Sequence, residues 1–225
     1  MIEINADLGE GAGHDQEILP LIQRANICLG THAGSFELTT ETVHQCQAVG
    51  VAFCGHPGYP DREHFGRRSW AAIGVGVPEA RSALQKQVEP WVGQMSSIKP
   101  HGGFYNDSQD LGEPFDLLVD LLGFARVALL GMPGTAHEAA AQMAGVPFIA
   151  EGFADRAYTA GGRLVPRSDP GAFVSLARMP EHLESLIGRV RSICVHGDGS
   201  DPVARLEAVH RWIEQKGVEV RAWTS

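Results

Sequence analysis

Ile2-Glu3-Ile4-Asn5-Ala6-Asp7-Leu8-Gly9-Glu10 opens the chain as a short apolar run that ends in carboxylates around a glycine. The pattern returns four times. Asn26-Ile27-Cys28-Leu29-Gly30 leads into Thr31-His32-Ala33-Gly34, and Val51-Ala52-Phe53-Cys54 into Gly55-His56-Pro57-Gly58-Tyr59-Pro60-Asp61. Lys99-Pro100-His101-Gly102-Gly103-Phe104-Tyr105-Asn106 follows a short strand near Ser97-Ile98, and Val195-His196-Gly197-Asp198 follows Ser192-Ile193-Cys194. Gly-rich turns that deliver His, Asp and Lys just after apolar strands are how α/β folds gather catalytic groups on one rim. The chain reads as an enzyme.

Working outward, strand-like runs fall at 2–6, 26–30, 51–55, 97–99, 126–130, 147–151 and 192–195, with an eighth expected at 218–222. Helical stretches separate them. Thr135-Ala136-His137-Glu138 has capping-box form with Gly145 as a stop, and Asp201-Pro202 reads as an N-cap ahead of a helix ending at Gly217. Pro78 opens another helix. About seven β-then-α units with polar groups after each strand predict a parallel β/α barrel rather than an open doubly wound sheet. Residues 1–225 form one domain, and the irregular piece 152–170 with Gly161-Gly162 is expected to be an active-site loop.

The composition narrows the function. A formal charge of −9 argues against nucleic acid, which needs clustered Lys and Arg. It leaves small anionic substrates open, since a local Lys or Arg can overrule the global field. Four cysteines without a Cys-x-x-Cys pair suggest core residues in a reducing compartment. With no signal-peptide pattern and no membrane-length apolar run, a cytoplasmic protein is expected, homo-oligomeric or not.

The blocks together resemble the LamB/YcsF family, the A subunit of bacterial ATP-dependent 5-oxoprolinase. The likeness runs from Asn5 to Glu10, through Ala25 to Gly34, His56 to Asp61 and Phe65-Gly66-Arg67-Arg68. It continues through Lys99 to Asn106, Glu151 to Tyr158, Gly162 to Arg167 and Cys194 to Asp198, so it spans nearly the whole chain in family order. The resemblance implies a distorted seven-stranded β/α barrel of the glycoside hydrolase/deacetylase-like kind. It also implies hydrolysis of 5-oxo-L-proline to L-glutamate, coupled to ATP, with partner B and C subunits. The chain departs from the family pattern at Ala6, Cys28-Leu29, Thr31 and Ser35. Ser35 stands where Asp is usual; both cap helices well, but Ser could not replace a ligand or base.

Opening a lactam requires an activated carbonyl, a positioned water and a proton for the departing nitrogen. Asp7 is the first choice for general base or metal ligand, against the alternative of a strand-end hydrogen bond. Asp7, His32 and His56 could together hold a divalent metal with a position open for water; direct hydrogen bonding without metal is the alternative. Lys99 is expected to hold a carboxylate or phosphate, unless it forms a structural pair with Asp, and His101 to donate the proton to nitrogen. Glu10, Tyr59, Arg67, Asn106, Asp155, Arg156, His196 and Asp198 are expected to bind substrate. Asp198 is expected to orient a histidine or the ring nitrogen. No phosphate loop is present, so ATP is expected to be handled by the partners. The rival readings are a stand-alone metal-dependent deacetylase or amidohydrolase, and a non-catalytic subunit of such a complex.

Overall fold

Seven parallel strands pair in chain order and the last returns to the first, closing a barrel. The structure, a computed structural model, describes residues 1–223. The strands are β1 (Glu3–Leu8), β2 (Arg24–Cys28), β3 (Ala52–His56), β4 (Ser97–Ile98), β5 (Ala128–Gly131), β6 (Phe148–Phe153) and β7 (Ser192–Val195). The helices are α1 (Asp15–Ile18), α2 (Phe36–Val49), α3 (Trp70–Ile73), α4 (Val77–Val88), α5 (Gly102–Asp107), α6 (Glu113–Ala125), α7 (Ala136–Ala144), α8 (Met179–Leu186) and α9 (Pro202–Lys216).

Alternation along β1 decides what faces inward. Ile4, Ala6 and Leu8 join the apolar core. Glu3, Asn5 and Asp7 face the barrel axis, where they meet polar groups of the neighbouring strands. Arg24 Nε donates to Glu3 at 2.8 Å, Ser192 Oγ donates to the same carboxylate at 2.9 Å, and Asn5 Nδ2 donates to Ser192 at 2.8 Å. Asn26 Nδ2 then bridges Asn5 and Asp7 at 2.7 Å each. A hydrogen-bonded column thus climbs the interior and ends on Asp7. Buried polar groups are tolerated when their partners are supplied in this way.

Most local signals act as the sequence indicates; Asp201 does not, since it precedes α9 in the left-handed conformation and its side chain makes no cap hydrogen bond. Ser35 Oγ accepts from the Leu38 N–H, so it is a helix cap. Thr135 Oγ1 accepts from the His137 N–H, and Glu138 accepts from the Gly134 N–H. Gly145 and Gly217 end their helices in the left-handed conformation. All four cysteines are free and buried. The expected eighth strand does not form: Val220 makes one isolated parallel bridge to Ile2. Both edges of β1 are already taken by β2 and β7, which leaves no edge for it to join. Among the described residues no helix is long and apolar enough to cross a membrane.

Candidate active site

The C-terminal ends of the strands open into a cavity of about 480 Å³, lined by Asp7, Glu10, His56, Lys99, His101 and His196 on the strand side. At its base the Lys99 ammonium lies 3.0 Å from Asp7 and 3.4 Å from Glu151, and donates to Cys194 Sγ at 3.1 Å. Burial alone would raise the Asp7 carboxyl, but Lys99, His56, His196 and the Asn26 hydrogen bond hold it well below the usual range. Burial likewise opposes the Lys99 charge, and Asp7, Cys194 and Glu151 keep it firmly protonated. Lys99 is therefore committed to protein carboxylates: the structural Lys–Asp pair is what forms.

Above this pair three imidazoles meet. The His32 and His101 rings stack at 3.7 Å with a 2° interplanar angle, and His56 stands edge-on to both. His56 Nδ1 donates to the Lys99 carbonyl at 2.8 Å, and His101 Nε2 donates to the Phe65 carbonyl at 2.8 Å. Carbonyls only accept, so each bond assigns the ring tautomer. Phe65 reaches that position at φ 57°, and Gly66 follows at φ 63°; a Cβ on Gly66 would lie 2.8 Å from His32 Cβ. A non-glycine residue held at positive φ is strained, and here its carbonyl fixes His101.

Glu10 sits among the imidazoles, 3.3 Å from His32 Nε2 and 3.6 Å from His101 Nδ1. Burial, reinforced by the charges of Asp7 and Asp198, pushes its carboxyl up to about 8. The sequence places it in a loop with no sign of this; its importance comes from the closeness of chains distant in sequence. Burial pushes His56 down to about 3 and, with its imidazole neighbours, takes His101 well below the usual value. Neutral His101 has its one N–H on Phe65, and among these groups Glu10 is the one whose carboxyl keeps a proton near neutral pH.

Glu10, His32, His56 and His101 offer ligand atoms that all lie within 4.8 Å of one another, a group that could hold a metal ion. Three imidazole nitrogens and a carboxylate oxygen suit a divalent transition ion, and His32 Nδ1 is buried without a hydrogen-bond partner among the described residues. The set differs from the expected Asp7, His32 and His56. Asp7 faces Lys99 and Asn26 instead, while Glu10 and His101 approach the imidazoles.

The opposite wall is cationic. Arg67, Arg156, Arg163 and Arg167 line it together with Asn106 and Asp198. Asp198 pairs with Arg67 and, at 3.5 Å, with Arg167, so it orients arginines rather than a histidine. Asp155 takes the histidine role, accepting from His196 Nδ1 at 2.9 Å behind the cavity surface. Arg163 and Arg167, which lie in the expected loop, were not singled out by sequence reasoning; the Gly162-to-Arg167 block was the available signal. Tyr59 is a correction. It is fully buried against Phe104 and Trp70, and its hydroxyl donates to Asp107 at 3.4 Å, so it supports the core and does not reach the cavity.

The model of the LamB/YcsF family matches residues 2–225. The fold superposes on the crystal structure of the lactam utilization protein from Thermus thermophilus with a TM-score of 0.82 and 31% identity, over 99% of both chains. A cellobiose-phosphate cleavage protein, so assigned provisionally, from Enterococcus faecalis gives a TM-score of 0.65 at 12% identity, over 98% of this chain and 96% of that one. A mutant of a CE4-family pseudoenzyme with restored activity gives 0.51 at 12% identity, over 98% of this chain and 64% of that one. At such identities these last two share the barrel fold and nothing further is transferred.

Proposed function

The chain belongs to the LamB/YcsF family, and from that premise we propose that it hydrolyses the C–N bond of a small cyclic amide bearing a carboxylate. The substrate in this reading is 5-oxo-L-proline and the product L-glutamate. The chain acts as the A subunit of an ATP-consuming 5-oxoprolinase, with B and C subunits supplying the nucleotide chemistry.

One observation carries the reading: a protonated carboxyl, Glu10, faces the same cavity as an ionised one, Asp7, with an arginine wall opposite. Two carboxyl groups whose environments drive their protonation apart are the usual arrangement for acid and base roles in one site. Glu10 gives its proton to the departing nitrogen. Asp7 Oδ2 and His56 Nε2, 3.6 Å apart, accept from the attacking water and orient it. Lys99 keeps Asp7 ionised. An arginine on the far wall holds the substrate carboxylate.

The Glu10–His32–His56–His101 group favours a second reading, a metal-dependent amidohydrolase acting alone. A divalent ion held there would supply electrophilic activation of the carbonyl.

The test mixes the chain with its candidate partners, ATP and 5-oxoproline, and assays glutamate. Glutamate that forms only with all components present, and is lost with Glu10→Gln, supports the first reading. Turnover by the isolated chain with metal and without ATP replaces it with the second.

A further inference from the structure

Hydrolysis of a lactam must bring two protons to the departing nitrogen. Over the whole reaction an amide N–H becomes an ammonium, and the water that is added supplies both. Glu10 carries one, and the second has no carrier among the groups described so far. Asp7 is ionised, and Lys99 is held by Asp7 and Glu151. His56 and His101 keep their single N–H groups on backbone carbonyls. Asp198 is paired with Arg67 and Arg167. Burial holds the Tyr105 hydroxyl well above its usual value, and arginines do not give up protons in proteins. Among the groups that line the cavity, His196 remains.

His196 follows β7 directly, and Asp155 comes two residues after β6. These strands pair Phe153 with Cys194, and the same register carried two residues further brings Asp155 opposite His196. The Ala154 N–H donates to the Cys194 carbonyl at 2.9 Å, so the pairing persists past the end of β6. His196 Nδ1 lies 2.9 and 3.1 Å from the two Asp155 oxygens, and the Phe153 ring stacks on the imidazole at 5.2 Å and 14°. Burial would raise the Asp155 carboxyl, but His196, then Arg167 and Arg156, hold it below its usual range. An ionised carboxylate only accepts, so Nδ1 carries the hydrogen and Nε2 of the neutral ring keeps a lone pair. Nε2 makes no hydrogen bond among the described residues, and the ring borders the cavity.

We propose that His196, positioned by Asp155, is a second catalytic acid–base of this site, carrying a proton from the attacking water to the departing nitrogen. The inference rests on the cyclic-amide reading and adds a catalytic residue to it. A buried carboxylate on Nδ1 stabilises the imidazolium that forms when Nε2 takes a proton, and it keeps the ring aimed. A charged His196 also acts on both Asp7 and Glu10, which places it near the two carboxyl groups that begin the reaction.

The protons balance. Asp7 takes the first proton of the water as its oxygen bonds to the ring carbon, and Glu10 gives its own proton to the nitrogen. As the C–N bond breaks, the hydroxyl left by the water loses its proton to His196 Nε2, and its oxygen becomes part of the carboxylate. The imidazolium hands that proton to the free amine, which leaves as ammonium. The proton on Asp7 returns to Glu10 before the next turnover, and nothing is oxidised or reduced.

The test measures glutamate formation from 5-oxoproline and ATP by the full chain with its candidate partners in excess, so that this chain limits the rate. His196→Gln keeps an amide N–H for Asp155 and is expected to fold, but it cannot carry a proton. Its kcat is expected to fall about 10²–10⁴-fold with KM little changed, the pattern of a group that acts only in the transition state. Imidazole added to His196→Ala should restore part of the lost rate. Asp155→Asn should lower kcat as well, because an amide on Nδ1 admits the wrong tautomer. A His196→Gln variant with full kcat, or one in which KM alone rises, overturns the proposal. A loss in His196→Ala that imidazole leaves untouched overturns it too. In each of these cases the natural chain still makes glutamate and the cyclic-amide reading stands. A natural assembly that makes none removes that reading and this inference with it.

Discussion

His56 Nε2 and His101 Nδ1 lie 2.9 Å apart, and each ring has already committed its N–H to a backbone carbonyl. Two lone pairs therefore face each other inside a buried pocket. Like-polarity acceptors at this distance repel unless something positive sits between or beside them. A cation bound by both nitrogens, with Glu10 and His32 completing the set, removes the conflict.

The expected outcome is one divalent transition ion per chain, measured by calorimetry and elemental analysis. His101→Ala should weaken it by about 10–100-fold or more, the cost typical of disturbing a metal site. Because Glu10 keeps its proton up to about pH 8, binding below that pH should release close to one proton. The release should fade as the pH rises past that value. Calorimetry in buffers of different ionisation enthalpy reads it directly, and proton release unchanged across about pH 6–9 would remove Glu10 from the ligand set.

In the metal-free chain Glu10→Gln should lower kcat by about 10²–10⁴-fold, the range associated with loss of a general acid. Without metal, kcat of the natural chain should fall as the pH rises through about 8, where Glu10 gives up its proton. The same group sets a stability trend in the metal-free chain. Its carboxyl titrates near 4.5 when free and near 8 when folded, so between those values the folded chain holds the extra proton. Stability from this group is full below about pH 4.5 and drains away as the pH climbs to about 8. Glu10→Gln should therefore melt higher than the natural chain in alkaline buffer, with the gap closing in acid.

Lys99→Met should destabilise the fold by about 3–5 kcal/mol, because it strands two buried carboxylates, Asp7 and Glu151. Adding Asp7→Asn should recover part of that loss, since it removes one of the unpaired charges. Urea unfolding of the single and double variants measures it. If the two effects simply add, the pair is not coupled in the way its 3.0 Å contact requires.

Gly197→Ala should cost about 1–3 kcal/mol by overpacking, and it should also lower kcat. A Cβ there would stand 2.4 Å from the Asp7 carbonyl, so the backbone that aims Asp7 must give way. Thermal melting and turnover should fall together. A variant that melts lower but keeps full activity would show that Asp7 need not be held so tightly.

Much of the barrel was legible because each strand pairs an apolar run with a glycine-rich exit, and such runs keep their meaning whatever surrounds them. The eighth strand was misread for a reason the sequence does not carry: residues 218–222 look extended, but whether a strand has an edge to join depends on closure elsewhere. Asp7, His32, His56 and His101 could be nominated because each ends a strand or begins the turn after it. Glu10 could not be ranked, since its raised carboxyl arises from burial and from Asp7 and Asp198. Tyr59 shows the opposite error. It shares a turn with His56, yet it points into the aromatic packing of α3 and α5.

Arg156, Arg163 and Arg167 all come from one excursion of chain between β6 and α8, whereas Asp7, His56 and Lys99 belong to three separate strands or the turns directly after them. The two halves of the cavity therefore have different freedom to diverge. Relatives could exchange that excursion for another and acquire a different clientele, while the reactive groups, fixed by the hydrogen-bonded column beneath them, stayed where they were.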